Sequence, residues 1–442
     1  MFELMIVVFV LGYICIALEH PLQVNKAAFA LLLGVILWTL FAFFPTAQLP
    51  EVSEYFKAPA DTPFLTWLTH TSLIEHLGEI AEILFFLLGA MTIVELIDTH
   101  GGFGIITSRI KTTKKVPLLW IIGIVTFVMS AVLDNLTTSI VMVALIRKLI
   151  SNQKDRWMFG SMIVIAANAG GAWSPIGDVT TIMLWIAGKV STFAIMKALI
   201  LPSIISLVVP LTILSFMMKG NVERPIKDEN RERIQLKIWE RNLVFFMGVG
   251  LLLFVPVFKT ITHLPPYLGV LGGLSILWIT TEILNRKRSI AEQGQLSVSA
   301  ILRKIDTSSI LFFLGILAAV AALQACGHLA LMSAQLENIP VEGDAKYDVI
   351  AMILGVLSSV VDNVPLVAGA IGMYSFPIDH QFWEFIAYTA GTGGSMLIIG
   401  SAAGVAVMGM EKIDFIWYLK RITPLAAAGY LAGCGVYLLQ VL

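Results

Sequence analysis

Charge is scarce in this chain. Asp, Glu, Lys and Arg make up 13% of its 442 residues, against about 25% in an average soluble domain. Neither sign dominates, since the formal net charge is −1. There is no basic patch and no aromatic stacking platform, which excludes nucleic acid as a partner. Cysteine is scarcer still. Cys15, Cys326 and Cys434 are spaced too widely for a disulfide framework or a metal site, and no cofactor is implied. The short alternating segments of a β-barrel are lacking. The start, Met1-Phe-Glu3-Leu-Met-Ile, lacks the basic n-region of a signal peptide, so it reads as a first span.

What the chain has in quantity is apolar surface. It is 57% hydrophobic, with mean hydropathy +0.86. That predicts an all-α polytopic membrane protein. Apolar runs at 3–18, 26–44, 80–98, 157–188, 192–217, 242–258, 266–284, 307–325, 382–410 and 422–441 give about ten transmembrane helices. Residues 46–79, rich in proline, read as a surface loop ending in an amphipathic helix near Phe64–Gly78. Residues 219–241 carry seven Lys/Arg and read as a cytoplasmic linker between two halves.

One apolar run does not fit a simple crossing. From Val116 to Ile150 a straight helix would be roughly 50 Å long at ~1.5 Å per residue, against a hydrocarbon core of ~30 Å. It is too long for one span and too short for two. Asp134 and Asn135 lie at its middle, and lysines and arginines flank both ends: Lys111, Lys114 and Lys115 before it, Arg147, Lys148, Lys154 and Arg156 at or after its end. This predicts a re-entrant hairpin at 116–150 that enters and leaves on the basic, cytoplasmic side. Alternation then puts loops 20–26, 147–156, 219–241, 285–306 and 411–421 in the cytoplasm and both termini outside.

The halves repeat. Ile83-Leu-Phe-Phe-Leu87 matches Ile310-Leu-Phe-Phe-Leu314, and Ser130-Ala-Val-Leu-Asp134-Asn135 matches Ser358-Ser-Val-Val-Asp362-Asn363. Gly170-Gly171 with Gly177 matches Gly393-Gly394 with Gly400, and all offsets fall at about 223–228 residues. The expected organisation is a first membrane repeat at 1–218 (hairpin 116–150, broken helix 157–188), the linker 219–241, and a second repeat at 242–442 (hairpin 348–374, broken helix 382–410). An odd number of spans per half inverts the second copy. Inverted repeats with discontinuous helices are the architecture of secondary transporters.

The polar residues cluster at the breaks. At the hairpin tips Asp134 and Asp362 supply charge, while Asn135, Asn363, Thr137 and Thr138 supply neutral oxygens of the kind hard cations take. Capping of the half-helices by the same residues can coexist with that role. Gly170-Gly171 and Pro175 interrupt the span 157–188, and Asn168, Ser174, Asp178 and Thr180 gather there. The second break offers Thr392, Ser395 and Ser401, with Ser401 standing where the first has Asp178. Glu82, Glu95 and Asp98, on the span 80–98, are candidates for a proton relay or for a solvated interfacial role. His70, His76, His100, His328 and His380, in or beside loops, read as ordinary exposed histidines, with pH sensing the alternative.

These motifs resemble the NhaD-type Na⁺/H⁺ antiporters of the ion transporter superfamily. The resemblance is carried by Ser130-Ala-Val-Leu-Asp-Asn-Leu-Thr-Thr138, by the run from Ala166 to Thr181 and by Val361-Asp-Asn-Val-Pro-Leu366. It implies exchange of Na⁺ or Li⁺ for H⁺ across the inner membrane, with Na⁺ at Asp134, Asp178 and Asp362, contact with membrane lipid, and dimerisation. Two other classes compete. One is an anion or metalloid carrier (dicarboxylate, arsenite) on the same scaffold. Three acids near one site repel an anion, and relatives of that kind typically carry Ser-Asn-Thr where this chain has Asp. The other is an intramembrane aspartyl protease using Asp134 and Asp178. Such enzymes typically carry Gly-x-Gly-Asp, whereas here Pro175 takes the first position. No His-Glu-x-x-His and no Gly-x-Ser-x-Gly pattern occurs, so the expectation is a transporter and not an enzyme.

Overall fold

Peptide groups in hydrocarbon must bond within their own segment or close a barrel, and this chain takes the first course. The computed structural model describes residues 2–17, 19–43, 49–59, 61–107, 110–225, 236–286, 288–337, 340, 343–360 and 362–441. Of the expected linker, 226–235 lie outside the described residues, as do 46–48, 60 and Val361. The described residues form an all-helical, multi-pass membrane protein in which seven helices are long and apolar enough to cross a membrane. These seven are Phe64–Thr99, Lys115–Leu133, Thr192–Met217, Ile238–Thr262, Pro266–Asn285, Thr307–Cys326 and Thr423–Val441. The shorter helices Phe2–Ala17 and Lys26–Ala42 also coincide with apolar runs.

Two expectations need correction. The amphipathic helix near Phe64–Gly78 is not separate from the span that follows. The chain runs helical from Phe64 to Thr99, with one widened turn at Leu68–Ser72. Nothing between Phe64 and Thr99 removes a backbone donor as proline would, so the helix continues. Three of the histidines are also buried, not exposed: His76, His100 and His328 are 8%, 1% and 6% accessible. His76 Nε2 lies 3.2 Å from Glu54 Oε2, and His100 Nδ1 lies 2.8 Å from the Leu96 carbonyl.

The chain forms two compact units, each drawing on both halves of the sequence. The first comprises Met1–Phe85, Asp306–Ile353 and Val364–Pro377. Its helices Lys26–Ala42 and Thr307–Cys326 cross in backbone contact. A Cβ on Gly315 would overlap the main chain of Ala30 and Leu31, and Trp38 Nε1 donates to the Ala318 carbonyl at 2.9 Å. Small residues permit this approach where lipid provides no hydrophobic drive.

The second unit comprises Phe86–Ile305, Leu354–Asn363 and Ile378–Leu442. Here helices Lys115–Leu133 and Asn135–Leu149 pack against each other as a hairpin. Lys115 Nζ reaches Asp155 Oδ1 at 2.7 Å, tying the start of the first arm to the start of helix Gln153–Ala172. Arg147 and Arg156 both grip Glu411, at 2.6 and 2.8 Å, and the Glu411 side chain is 1% accessible. That clamp ties the first hairpin and the start of the broken helix to the end of helix Ala402–Glu411. Removing its carboxylate charge leaves two guanidiniums facing one another. Glu411→Gln is therefore expected to cost about 2–3 kcal/mol, discounted for the partly exposed Arg147. Thermal unfolding in detergent measures it, and an unchanged midpoint would show the clamp to be dispensable.

Candidate functional site

The site begins where the first hairpin turns. Between its arms the single residue Asp134 adopts φ 72°, ψ 160°, a conformation that side chains other than glycine's rarely take. Its carboxylate caps the second arm. Oδ1 accepts from the Thr137 N–H at 2.8 Å and Oδ2 from the Thr137 hydroxyl at 2.7 Å, at a helix N-terminus that favours negative charge. The Thr138 hydroxyl is buried and, among the described residues, has no hydrogen-bond partner. Asp134 is 8% accessible and borders a small apolar pocket lined by Phe86, Leu87, Leu133 and Leu252.

The broken helix is held against that hairpin by its glycines. It runs Gln153–Ala172, breaks, and resumes as Val179–Ile186. A Cβ on Gly170 would overlap the Phe127 carbonyl of the first arm. Ser130 donates to the Ala167 carbonyl at 2.6 Å, and Ser174 to the Ala131 carbonyl at 2.5 Å. The break fixes Asp178 as the N-cap of the resumed helix. Its Oδ1 accepts from the Thr180 N–H at 3.1 Å, and Thr181 donates its hydroxyl to the Asp178 carbonyl at 2.8 Å.

The second copy repeats this construction. Helix Gln381–Gly393 breaks before Ala402–Glu411. Ser358 donates to the Ala390 carbonyl at 2.7 Å, as Ser130 does to Ala167. A Cβ on Gly393 would overlap the Gly355 carbonyl, as one on Gly170 would overlap Phe127. Ser401 caps its half-helix through the Gly404 N–H at 3.1 Å. Its backbone, φ −145° and ψ 153°, nearly equals that of Asp178 at φ −145° and ψ 147°.

The two copies converge on Asp178, which is 1% accessible. Asn135, from the first hairpin, donates Nδ2 to Asp178 Oδ2 at 2.9 Å and to Asn168 Oδ1 at 3.0 Å. Asn363, at the start of helix Asn363–Met373, shares its Nδ2 between the Asp178 oxygens at 3.3 and 3.4 Å. Asn168 donates Nδ2 to Ser395 at 2.9 Å and to Ser401 at 3.0 Å. Asn135, Asn168, Asp178, Asn363, Ser395 and Ser401 are thus one buried hydrogen-bonded cluster drawn from both halves of the sequence.

Of the remaining candidates, Thr180 joins the cluster through its backbone N–H. Asp134 and Asp362 lie within Coulombic reach of Asp178. Thr137 is taken up with Asp134, Ser174 with the hairpin backbone, and Thr392 with the Tyr388 carbonyl at 2.6 Å. Glu95 accepts from Thr99 at 3.1 Å and lies 3.8 Å from Lys304, and Asp98 follows at the same helix end. Glu82 belongs to the first unit. The carboxylate of Asp178, the amide oxygens of the three asparagines and the hydroxyls of the two serines are ligands of the kind a hard cation takes, although Asn135 and Asn363 here turn their NH₂ groups to Asp178.

Comparison with known proteins finds transporters. A family model described as "Citrate transporter" matches residues 13–384. "Sodium/proton antiporter 1" of Arabidopsis thaliana is 48% identical over 439 residues, spanning 98% of this chain and 72% of that protein. "Sodium/proton antiporter 2" of the same plant is 44% identical over 98% of both chains. "Na(+)/H(+) antiporter NhaD" of Alkalimonas amylolytica is 30% identical over 98% of this chain and 89% of its own. The chain belongs to the NhaD-type antiporter family of the ion transporter superfamily. Within this family member, sequence reasoning missed the Glu411 clamp, because Arg147 and Arg156 were legible only as topology markers. It also missed Ser130 and Ser358, whose signal was present: both open the repeated motif.

Proposed function

We propose that this protein exchanges Na⁺ or Li⁺ for H⁺ at a site centred on the Asp178 cluster, and that cation and proton compete for the carboxylate of Asp178 with those of Asp134 and Asp362 close by. The observation that carries the proposal is the buried carboxylate of Asp178 meeting one asparagine from each Asp-Asn pair. A charge held at membrane depth is costly and marks a transport path. The two hairpins enter from opposite faces, the inverted repeats meet at the midplane, and access alternates as hairpins and broken helices rock against the rest of the protein. The protein lies in the inner membrane with both termini outside, and it is a carrier, not an enzyme.

The family description favours a second substrate, citrate, and the site argues against it. An anionic substrate needs the N–H donors of the hairpin asparagines, but those donors face Asp178. A citrate anion would meet that carboxylate with Asp134 and Asp362 in Coulombic reach. Everted vesicles loaded with a pH-sensitive dye separate the two. Na⁺ and Li⁺ dissipate the proton gradient, and choline citrate does not. Citrate-driven dissipation without a Na⁺ effect would replace the cation proposal. Single cysteines test the topology. Those at Lys114 and Lys154 label only from the cytoplasm, those at Lys346 and Asp379 only from outside. Labelling of Lys114 and Lys154 from opposite sides would make the first hairpin a true span.

A further inference from the structure

Asp178 must release its present partners before it can bind a substrate. Its carboxylate is fully engaged. Oδ2 accepts from Asn135, Oδ1 accepts from the Thr180 N–H, and Asn363 bridges both oxygens. An ionised carboxylate offers about four lone-pair sites, and here three nitrogens face them, that of Asn363 shared between the two oxygens. Two amide groups, one from each Asp-Asn pair, therefore do electrostatically what a bound cation would do. Na⁺ needs oxygen ligands, and a proton on Asp178 needs an acceptor. An NH₂ group supplies neither, whereas the same amide turned by about 180° supplies both, because its oxygen takes the place of its nitrogen.

We propose that Asn135 and Asn363 are the substrate-responsive switch of this site. With amide nitrogens inward they hold Asp178 ionised without a substrate. With amide oxygens inward they complete the oxygen shell of Na⁺, or accept the proton of neutral Asp178. One rotation serves both substrates, so each excludes the other. This rests on the exchange proposed above.

The rotation cannot stay local. Asn135 Nδ2 also donates to Asn168 Oδ1. Turning Asn135 takes its Oδ1 away from the Leu136 N–H, which it now accepts from at 2.8 Å, a cost the bound substrate must offset. It would also set two amide oxygens against each other, so Asn168 turns as well. Its Nδ2 then leaves Ser395 and Ser401, which now accept from it. A hydroxyl both donates and accepts, so the serines reverse their role and donate to the Asn168 oxygen that arrives. The chain Asp178–Asn135–Asn168–Ser395/Ser401 thus inverts polarity as a unit, carrying the state of Asp178 into the second break. This gives Ser401 a chemical reason to differ from its counterpart Asp178, since a hydroxyl can reverse and a carboxylate cannot.

Infrared difference spectroscopy reads the switch directly. Reconstituted protein containing asparagine labelled with ¹³C at Cγ is taken from choline to Na⁺ at constant pH. The expected result is a shift of the side-chain carbonyl band that titrates with the same apparent Na⁺ affinity as transport. The band loses intensity in Asn135→Ala and Asn363→Ala. Ser395→Ala, which leaves the Asp178 shell intact, reduces it too. Wild-type protein that exchanges Na⁺ for H⁺ with no change in that band would overturn the switch and leave the exchange standing. Protein that moves no protons in response to Na⁺ would instead overturn the exchange itself.

Discussion

Vesicles carrying Asp178→Asn are expected to show no Na⁺-evoked proton movement. The amide keeps the volume and can still accept from the Thr180 N–H, so the helix cap survives. What goes is the charge against which Na⁺ is held and the group that takes the proton. In a site 1% accessible, solvent does little to screen that loss. Na⁺ binding itself should weaken at least about 100-fold, or roughly 2.8 kcal/mol. Asp134→Asn and Asp362→Asn are also expected to impair exchange severely, through the charges that bear on Asp178. Glu82→Gln should be far milder. Well-expressed Asp178→Asn protein with near-normal exchange would remove this carboxylate from the site.

The second large effect is one of packing. Gly170→Ala drives a methyl group into the Phe127 carbonyl, and Gly393→Ala drives one into that of Gly355. Backbone cannot yield as a flexible side chain does, so each should cost about 3 kcal/mol or more. The hairpin would be pushed off the broken helix, and exchange would fall with the melting temperature. Gly78→Ala is the control. It lies within helix Leu73–Thr99, and a Cβ there meets nothing within 4 Å, so it should be neutral or stabilise by up to about 1 kcal/mol. Equal melting temperatures for Gly170→Ala and wild type would mean the arms are not in backbone contact.

Much of this was legible in the sequence because hydrocarbon imposes simple rules. Run length against bilayer thickness pointed to an interruption near Asp134, where the structure ends helix Lys115–Leu133 and begins Asn135–Leu149, and Gly170-Gly171 with Pro175 marked the break that the structure places at 173–178. The repeated Asp-Asn pair pointed to Asn135 and Asn363, which the structure brings to one carboxylate. Orientation was not legible. Sequence gives an asparagine both an oxygen and an NH₂, and only the surrounding bonds decide which one faces Asp178. The Glu411 clamp was hidden for another reason. Its partners Arg147 and Arg156 lie more than 250 residues away along the chain, and no local pattern reports such a pairing. His76 was misread because a loop-flanking position implied exposure, while Glu54 and Gln324 supply a buried polar setting around it.

The central claim is that one carboxylate site serves both Na⁺ and H⁺. Its most direct test is the apparent Na⁺ affinity of the wild-type protein, measured by proton-gradient dissipation in everted vesicles at a series of pH values. Competition predicts that affinity falls as pH is lowered, approaching about tenfold per pH unit at the acidic end, while the maximal rate at saturating Na⁺ is retained. An apparent affinity that stays constant across the same pH range would contradict a shared site.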